Sequence, residues 1–143
     1  MAFTLSVFLE NKITRFEEVT ASLRSERINI RSLSLTGMPH GWGILNLLVD
    51  QPERAYKLLS DKGNSVSMEE VIAVAMEDEA GGLDEMLLKI AKAGIHVENA
   101  YTRLIAEKNI AVLLLVVQDF IEAKKRLEAN HVVVLDDKIV YGK

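Results

Sequence analysis

The chain contains no cysteine, so disulfides, thiol nucleophiles and cysteine-type zinc sites are excluded from the outset. The three histidines, His40, His96 and His131, stand far apart with no HxH or HxxxH spacing, which argues against a histidine metal site. No basic cluster is present. Net charge is −4 and the pI about 5.4, with Lys and Arg scattered along the chain, which argues against nucleic-acid binding. The longest apolar run, Ile110 to Val117, is far too short for a membrane span. The opening MAFTLSVFLENK has no basic leader, long apolar stretch or small-residue cleavage site, so a cytoplasmic location is expected.

What the chain does have is apolar content, 49% over 143 residues, enough to build a packed core in one ordinary domain or two small ones. It is also a repeat. Residues 10–30 laid over 77–97, an offset of 67, share only Glu10/Glu77, Glu18/Glu85 and Ile28/Ile95, but their apolar positions coincide. Leu5, Val7 and Leu9 meet Ile72, Val74 and Met76; Phe16, Val19 and Leu23 meet Leu83, Met86 and Ile90. After one inserted residue, 52–66 matches 120–134. Similarity that keeps the burial pattern while losing identity marks a duplicated folding unit.

Within each copy the pattern alternates between periods of two and 3.6. The first copy reads as a strand at 4–9, a helix at 15–26, strands at 28–35 and 43–50, a helix opened by Pro52, and a short strand after Gly63. The second repeats it, with strands near 71–76, 96–104, 109–117 and 131–135 and helices near 82–93 and 119–129. The order βαββαβ, twice, predicts an α+β fold of two ferredoxin-like units, antiparallel sheets with helices on one face. The boundaries expected are 1–68 and 69–143, with little slack at Met68–Glu70.

Other uses of this fold meet obstacles in the residues. RNA binding needs aromatics on the central strands, and these carry GILNLLV and IAVLLLV. Metal chaperones need paired cysteines. Acylphosphatase chemistry needs an arginine held in a phosphate cradle. Arg15 lies near the right loop, but without such a cradle and without a counterpart in the second copy.

The remaining use is ligand sensing. A hydrophobe-x-x-[N/D]-x-x-G loop runs through Asn11 and Asp78, and an I-[N/H]-[I/V] strand start appears at Ile28-Asn29-Ile30 and Ile95-His96-Val97. With WGIL at 42–45, these features resemble the ACT domain, here as two ACT domains in tandem over nearly the whole chain. The resemblance implies a free-standing, non-enzymatic regulatory protein. It would bind a small amino acid between ACT units, act as a homodimer whose edge strands pair, signal by altered packing, and need no cofactor or metal. The alternative it leaves open is a ligand-independent oligomerising subunit of a partner metabolic enzyme.

The resemblance places ligand contacts in the first loop and at the second strand: Asn11, Thr14 and Asn29 in one copy, Asp78, Ala80, Gly81, Gly82, Leu83 and His96 in the other. Gly81-Gly82 at a helix start suits a ligand carboxylate, and Asp78 suits its ammonium. Thr14 stands where the glycine belongs, and Thr14-x-x-Glu17 reads as a capping box that satisfies the helix from within. The two half-sites are therefore expected to differ. Asn11 and Asp78 also favour plain turns, Asn29 also suits an exposed strand position, His96 also suits a surface, and Trp42 an interface.

Overall fold

Alternating burial along β1 (Ala2–Glu10) is what organises the first half of the chain: Leu5, Val7 and Leu9 are buried while Phe8 and Glu10 are exposed. This computed structural model describes residues 2–105 and 110–142. The buried face of β1 meets Leu45 and Leu47 of β3 (Trp42–Val49), which pairs antiparallel with it in the register Leu5↔Leu47 and Glu10↔Trp42. β2 (Ile30–Met38) pairs with the far side of β3, Ile30 opposite Val49 and Met38 opposite Trp42, so the order is β2-β3-β1. Helix α1 (Ile13–Ser25) adds Phe16, Val19 and Leu23 to the core, at helical spacing, and α2 (Pro52–Asp61) adds Ala55 and Leu59.

The second unit repeats this plan. The next strand, β4 (Ser65–Glu77), carries the unit boundary between Glu69 and Glu70. Its C-terminal part pairs with β6 (Ile110–Val117), from Val71↔Val116 to Glu77↔Ile110, and β5 (Val97–Ile105) lies beyond β6. Helix α3 (Gly82–Ala93) and α4 (Phe120–Ala129) bury Met86, Ile90, Ala123 and Leu127 against Ile72, Val74, Leu113 and Leu115. The expected α+β fold of two βαββαβ-like units is what the chain forms.

Three elements depart from expectation, and the first is that the strands expected after Gly63 and near 71–76 are one strand, β4, continuous through Met68–Glu70. The strand expected at 131–135 is a single bridge, Val74 to Val134, bracketed by Ala75 N–H to Val133 O and Leu135 N–H to Ala73 O. A short helix, α5 (Asp137–Tyr141), follows it where no element was expected. Asp136 starts this helix by accepting the Lys138 N–H on Oδ1 at 2.8 Å. Arg103, opposite Val112 on the sheet face away from α3 and α4, donates to the carbonyls of Ile139 and Val140. The helix thus lies over that second face, where Val112, Leu114 and Val116 are buried. Tyr141 belongs to the first unit: its Oη accepts the Phe3 N–H and its carbonyl accepts from Arg31 Nε, both at 2.7 Å.

The duplication extends to backbone dihedrals. α1 and α3 are both followed by a left-handed residue, Arg27 (φ 57°) and Gly94 (φ 71°). α2 and α4 are followed by Gly63 (φ 87°) and His131 (φ 63°). The same turn is glycine in one copy and a strained side chain in the other. His131→Gly is expected to stabilise the protein by about 1 kcal/mol or less, the relief of left-handed strain net of the looser unfolded chain. Urea denaturation measures it. Deleting 137–143 is expected to lower stability by at least the ~1.5–3 kcal/mol of burying Val140, and to expose an apolar sheet face that an environment-sensitive dye reports.

Candidate functional site

The glycine-bearing loop lies between β4 and α3. After Glu77 the chain turns tightly: Glu79 N–H donates to Glu77 O and Gly82 N–H to Glu79 O, both at 3.0 Å. Gly81 is the N-cap of α3 at φ 87°, with open space where a Cβ would stand, and its carbonyl takes the first helical hydrogen bond from Glu85 N–H. Gly82 is different. It is buried, and a Cβ there would run into the Glu77 carbonyl oxygen. Gly82 therefore serves the turn, and Gly81 is the glycine that faces outward. Asp78, Ala80 and Leu83 are exposed around it.

The loop is electrostatically crowded. Asp84 and Glu85 occupy the first turn of α3, close in sequence behind Glu77, Asp78 and Glu79. Hydrogen bonding to Glu77 and its charge hold the Glu79 carboxyl above the ordinary glutamate range, with smaller contributions from desolvation and Glu85. Carboxylates so close together leave a negative field that an ammonium would relieve.

The corresponding loop of the first unit carries the opposite character. The expected capping box is not formed. The N-cap of α1 is Lys12, whose carbonyl accepts from Arg15 and Phe16 N–H, so Thr14 lies inside the first turn and caps nothing. The helix starts earlier because Asn11 N–H is tied to Gly41 O at 2.9 Å, which turns the chain right after β1. The Asn11 side chain sits over a glycine floor: a Cβ on Gly37 would lie 3.2 Å from its Nδ2, and one on Gly43 3.6 Å from its Cβ. Gly37 and Gly43 shape this loop, although as sequence they marked only a turn. Lys12 pairs with Glu10 at 3.2 Å and Arg15 with Glu18 at 2.6 Å. Arg15 is thus held on its own helix by Glu18. Trp42 stacks on Phe8, ring centroids 5.0 Å apart, and both stay exposed.

Asn29 and His96 lie elsewhere. Each is exposed and immediately precedes the edge strand of its unit. In the first unit Glu10 meets Trp42 at one end of β3, while Ile30 meets Val49 at the other. In the second, Glu77 meets Ile110 and Val97 meets Val117. The loop residues and the edge-strand residues of any one unit are therefore about 25 Å apart, a strand length. The structure brings Asp78, Ala80, Gly81, Gly82 and Leu83 together, places Asn11 beside Thr14, and separates Asn29 and His96 from both.

Among the described residues no cluster of acidic or histidine side chains fits a metal ion, and no helix is long and apolar enough to cross a membrane. A family model described as an ACT domain pair matches residues 1–140. Protein BT0572 from Bacteroides thetaiotaomicron is 30% identical, with a TM-score of 0.87 over 99% of this chain and 96% of that one. The regulatory subunit of aspartate kinase from Thermus thermophilus, in its ligand-free form, is 13% identical with a TM-score of 0.68, over 90% of this chain and 89% of that one. The corresponding subunit from Thermus flavus is 12% identical with a TM-score of 0.62, covering 92% of each chain. At that identity the two aspartate kinase subunits speak for the fold. No curated protein matches the chain.

The two glycines should separate experimentally. Gly81→Ala is expected to cost about 1–2 kcal/mol from left-handed strain alone. Gly82→Ala is expected to cost more, because the Glu77 carbonyl must move. Paired urea titrations compare them, and equal losses would contradict the different roles assigned here.

Proposed function

This chain belongs to the ACT domain pair family, and on that premise we propose that it is a regulatory protein whose ligand is a small amino acid. The observation that carries the reading is the β4–α3 loop. There an outward-facing glycine at a helix start adjoins a set of carboxylates crowded enough to raise the Glu79 pKa. The ligand ammonium goes to Asp78 and its acidic neighbours. Its carboxylate goes to the backbone at Gly81, where unpaired helix N–H groups carry partial positive charge. Ala80 and Leu83 flank the ligand side chain. Because the edge-strand end lies a strand length away, we propose that Asn29, from another ACT unit, completes the site in a homodimer. Asn11 and Thr14 form the weaker loop, since the Asn11 amide already sits on its glycine floor. Binding would favour one packing of the units, and a partner protein in the cytoplasm would read it.

The second reading is a ligand-independent subunit of a metabolic enzyme. It is favoured by the exposed Phe8, Leu33, Leu35, Met38 and Trp42 of the first unit.

A thermal-melt screen against the twenty amino acids decides between them. At a hundredfold excess over Kd the ligand adds ~2.7 kcal/mol, roughly 5–10 °C for a chain of this size. Gly81→Val and Asp78→Asn should remove the shift. No shift with any amino acid would leave the scaffold.

Glu79 supplies a pH test. Its raised pKa means the folded protein gains from protonating it, so that stabilisation is present at low pH and lost as pH rises through the folded pKa. Glu79→Gln is therefore expected to raise Tm at neutral pH. It should also weaken amino-acid binding, and binding to the unsubstituted protein should weaken as pH falls through the same range. A variant that melted higher and bound equally well would separate the acidic cluster from the ligand.

A further inference from the structure

Each edge strand slips register near its start, and the slip aims one side chain. β2 pairs Ile30 with Val49, Ser32 with Leu48 and Leu33 with Leu47. Ile30 packs on the helix-side core and Leu33 stands opposite the core residue Leu47, so both face the helices although three residues separate them. The extra residue puts Arg31 beside Ser32 on the other face. There Arg31 Nε donates to the Tyr141 carbonyl at 2.7 Å. β5 slips in the same way, with Val97 opposite Val117 and Asn99 opposite Val116. Its extra residue is Glu98, which accepts from Gln118 Nε2, just past β6, at 2.9 Å. One slip is used locally, and the other reaches the chain's last helix.

That helix needs its tethers. α5 has five residues, too few to be stable alone, and the segment before it makes a single bridge, Val74 to Val134. Arg103 donates to the Ile139 and Val140 carbonyls at 3.3 and 2.6 Å, and Tyr141 Oη accepts the Phe3 N–H at 2.7 Å. Under α5 lie Val112, Leu114 and Val116, all buried. The Arg31 bond is the tether that can be switched. It is the guanidinium's one bond among the described residues, and it goes to a neutral carbonyl rather than a carboxylate. It also starts two residues from Asn29. Asp50 Oδ1 accepts the Asn29 N–H at 3.0 Å, and the Asn29 carbonyl accepts the Asp50 N–H at 3.0 Å. This pairing fixes the backbone just before the slip, and the slip sets where Arg31 points.

We propose that Arg31 is a latch that couples the head of β2 to the seating of α5. While Asp50 holds Asn29, Arg31 grips Tyr141 and α5 covers the second face of β6. When that pairing is displaced, Arg31 leaves the carbonyl, α5 lifts, and Val112, Leu114 and Val116 open to solvent. The trigger rests on the reading above, in which a ligand engages Asn29. The latch itself does not, and it is tested without any ligand.

The experiment is amide hydrogen exchange on the ¹⁵N-labelled full chain. It follows Ile139 and Val140, whose N–H groups donate to Asp136 O at 3.1 and 3.3 Å. The Leu5 and Leu47 amides, from the paired β1 and β3, serve as references. Arg31→Ala is expected to speed exchange at Ile139 and Val140 about tenfold or more while the references stay protected. Asp50→Ala, which changes no residue of α5, should speed the same two amides. The double variant should exchange no faster than Arg31→Ala alone, because the coupling passes through Arg31. Arg31→Lys keeps the charge without the fixed fork and should fall between. Unchanged exchange in Arg31→Ala overturns the proposal, as does an α5 indifferent to Asp50→Ala or an additive double variant. If Arg31→Ala loses its reference protection, Asp50→Ala and Arg31→Lys decide by the same criterion. A flat amino-acid screen beside a responsive α5 discards the ligand and keeps the latch.

Discussion

Two helices cover one face of a sheet, and the chain must deal with the other. How it does so differs between the units, and the difference is written in the central strands. β6 reads IAVLLLVV, with no polar residue on either face. Leu113, Leu115 and Val117 face the helices, and the alternate Val112, Leu114 and Val116 are buried as well. A strand apolar on both faces needs two covers, and α5 lies on the second side, tied there by Arg103 to the Ile139 and Val140 carbonyls. β3 carries Asn46 in the middle of its second face. Asn46 accepts from Ser6 Oγ at 2.7 Å and donates to Ser34 Oγ at 3.3 Å, a polar ladder across three strands. Ile44 and Leu48 flank Asn46 on that face, Leu48 fully buried, and Phe8 and Trp42 stack at its exposed end.

The copies have kept backbone shape and exchanged chemistry. The left-handed turns recur at Arg27 and Gly94 and again at Gly63 and His131, and the register slip recurs in both edge strands. These are constraints of connectivity. They tie helix ends to strand starts through bonds such as Ile28 N–H to Leu23 O and Val132 N–H to Leu127 O. Side chains at the sheet ends are free of that duty. One loop became basic and self-paired around Lys12 and Arg15, the other acidic and crowded around Glu79. Equivalence of fold therefore predicts nothing about equivalence of binding.

Much of this was legible in the chain as letters. Strand and helix periodicity placed every central element, and α3 at 82–93 matched to the residue. Those are positions where a dozen side chains vote together. The errors fall where few residues decide. A five-residue helix at Asp137 has too little periodicity to register, and the strand at 131–135 is apolar enough to suggest a ladder that only one bridge realises. Thr14 and Glu17 have the spacing of a capping box, but a tertiary bond, Asn11 N–H to Gly41 O, starts the helix earlier and strands the motif inside it. Gly81 and Gly82 look identical as letters. Only the neighbouring Glu77 carbonyl shows that one serves the turn and the other faces solvent.

The distance between the candidate residues was not legible at all, and it constrains function most. Asn11 and Asn29, or Asp78 and His96, look like members of one site because both flank short elements of the same repeat. Yet β1 and β2 run parallel, each antiparallel to β3. The end of the first strand and the start of the second must then lie at opposite ends of the sheet, whatever the side chains prefer. A free amino acid cannot bridge a gap of about 25 Å, a strand length. Any ligand that touches both kinds of residue must take them from different units. Its affinity then depends on how those units are assembled, and by linkage the assembly depends on the ligand. A site confined to one end of one unit has no such dependence. The topology alone thus divides the candidate residues into those able to signal by themselves only locally and those whose joint use couples binding to association.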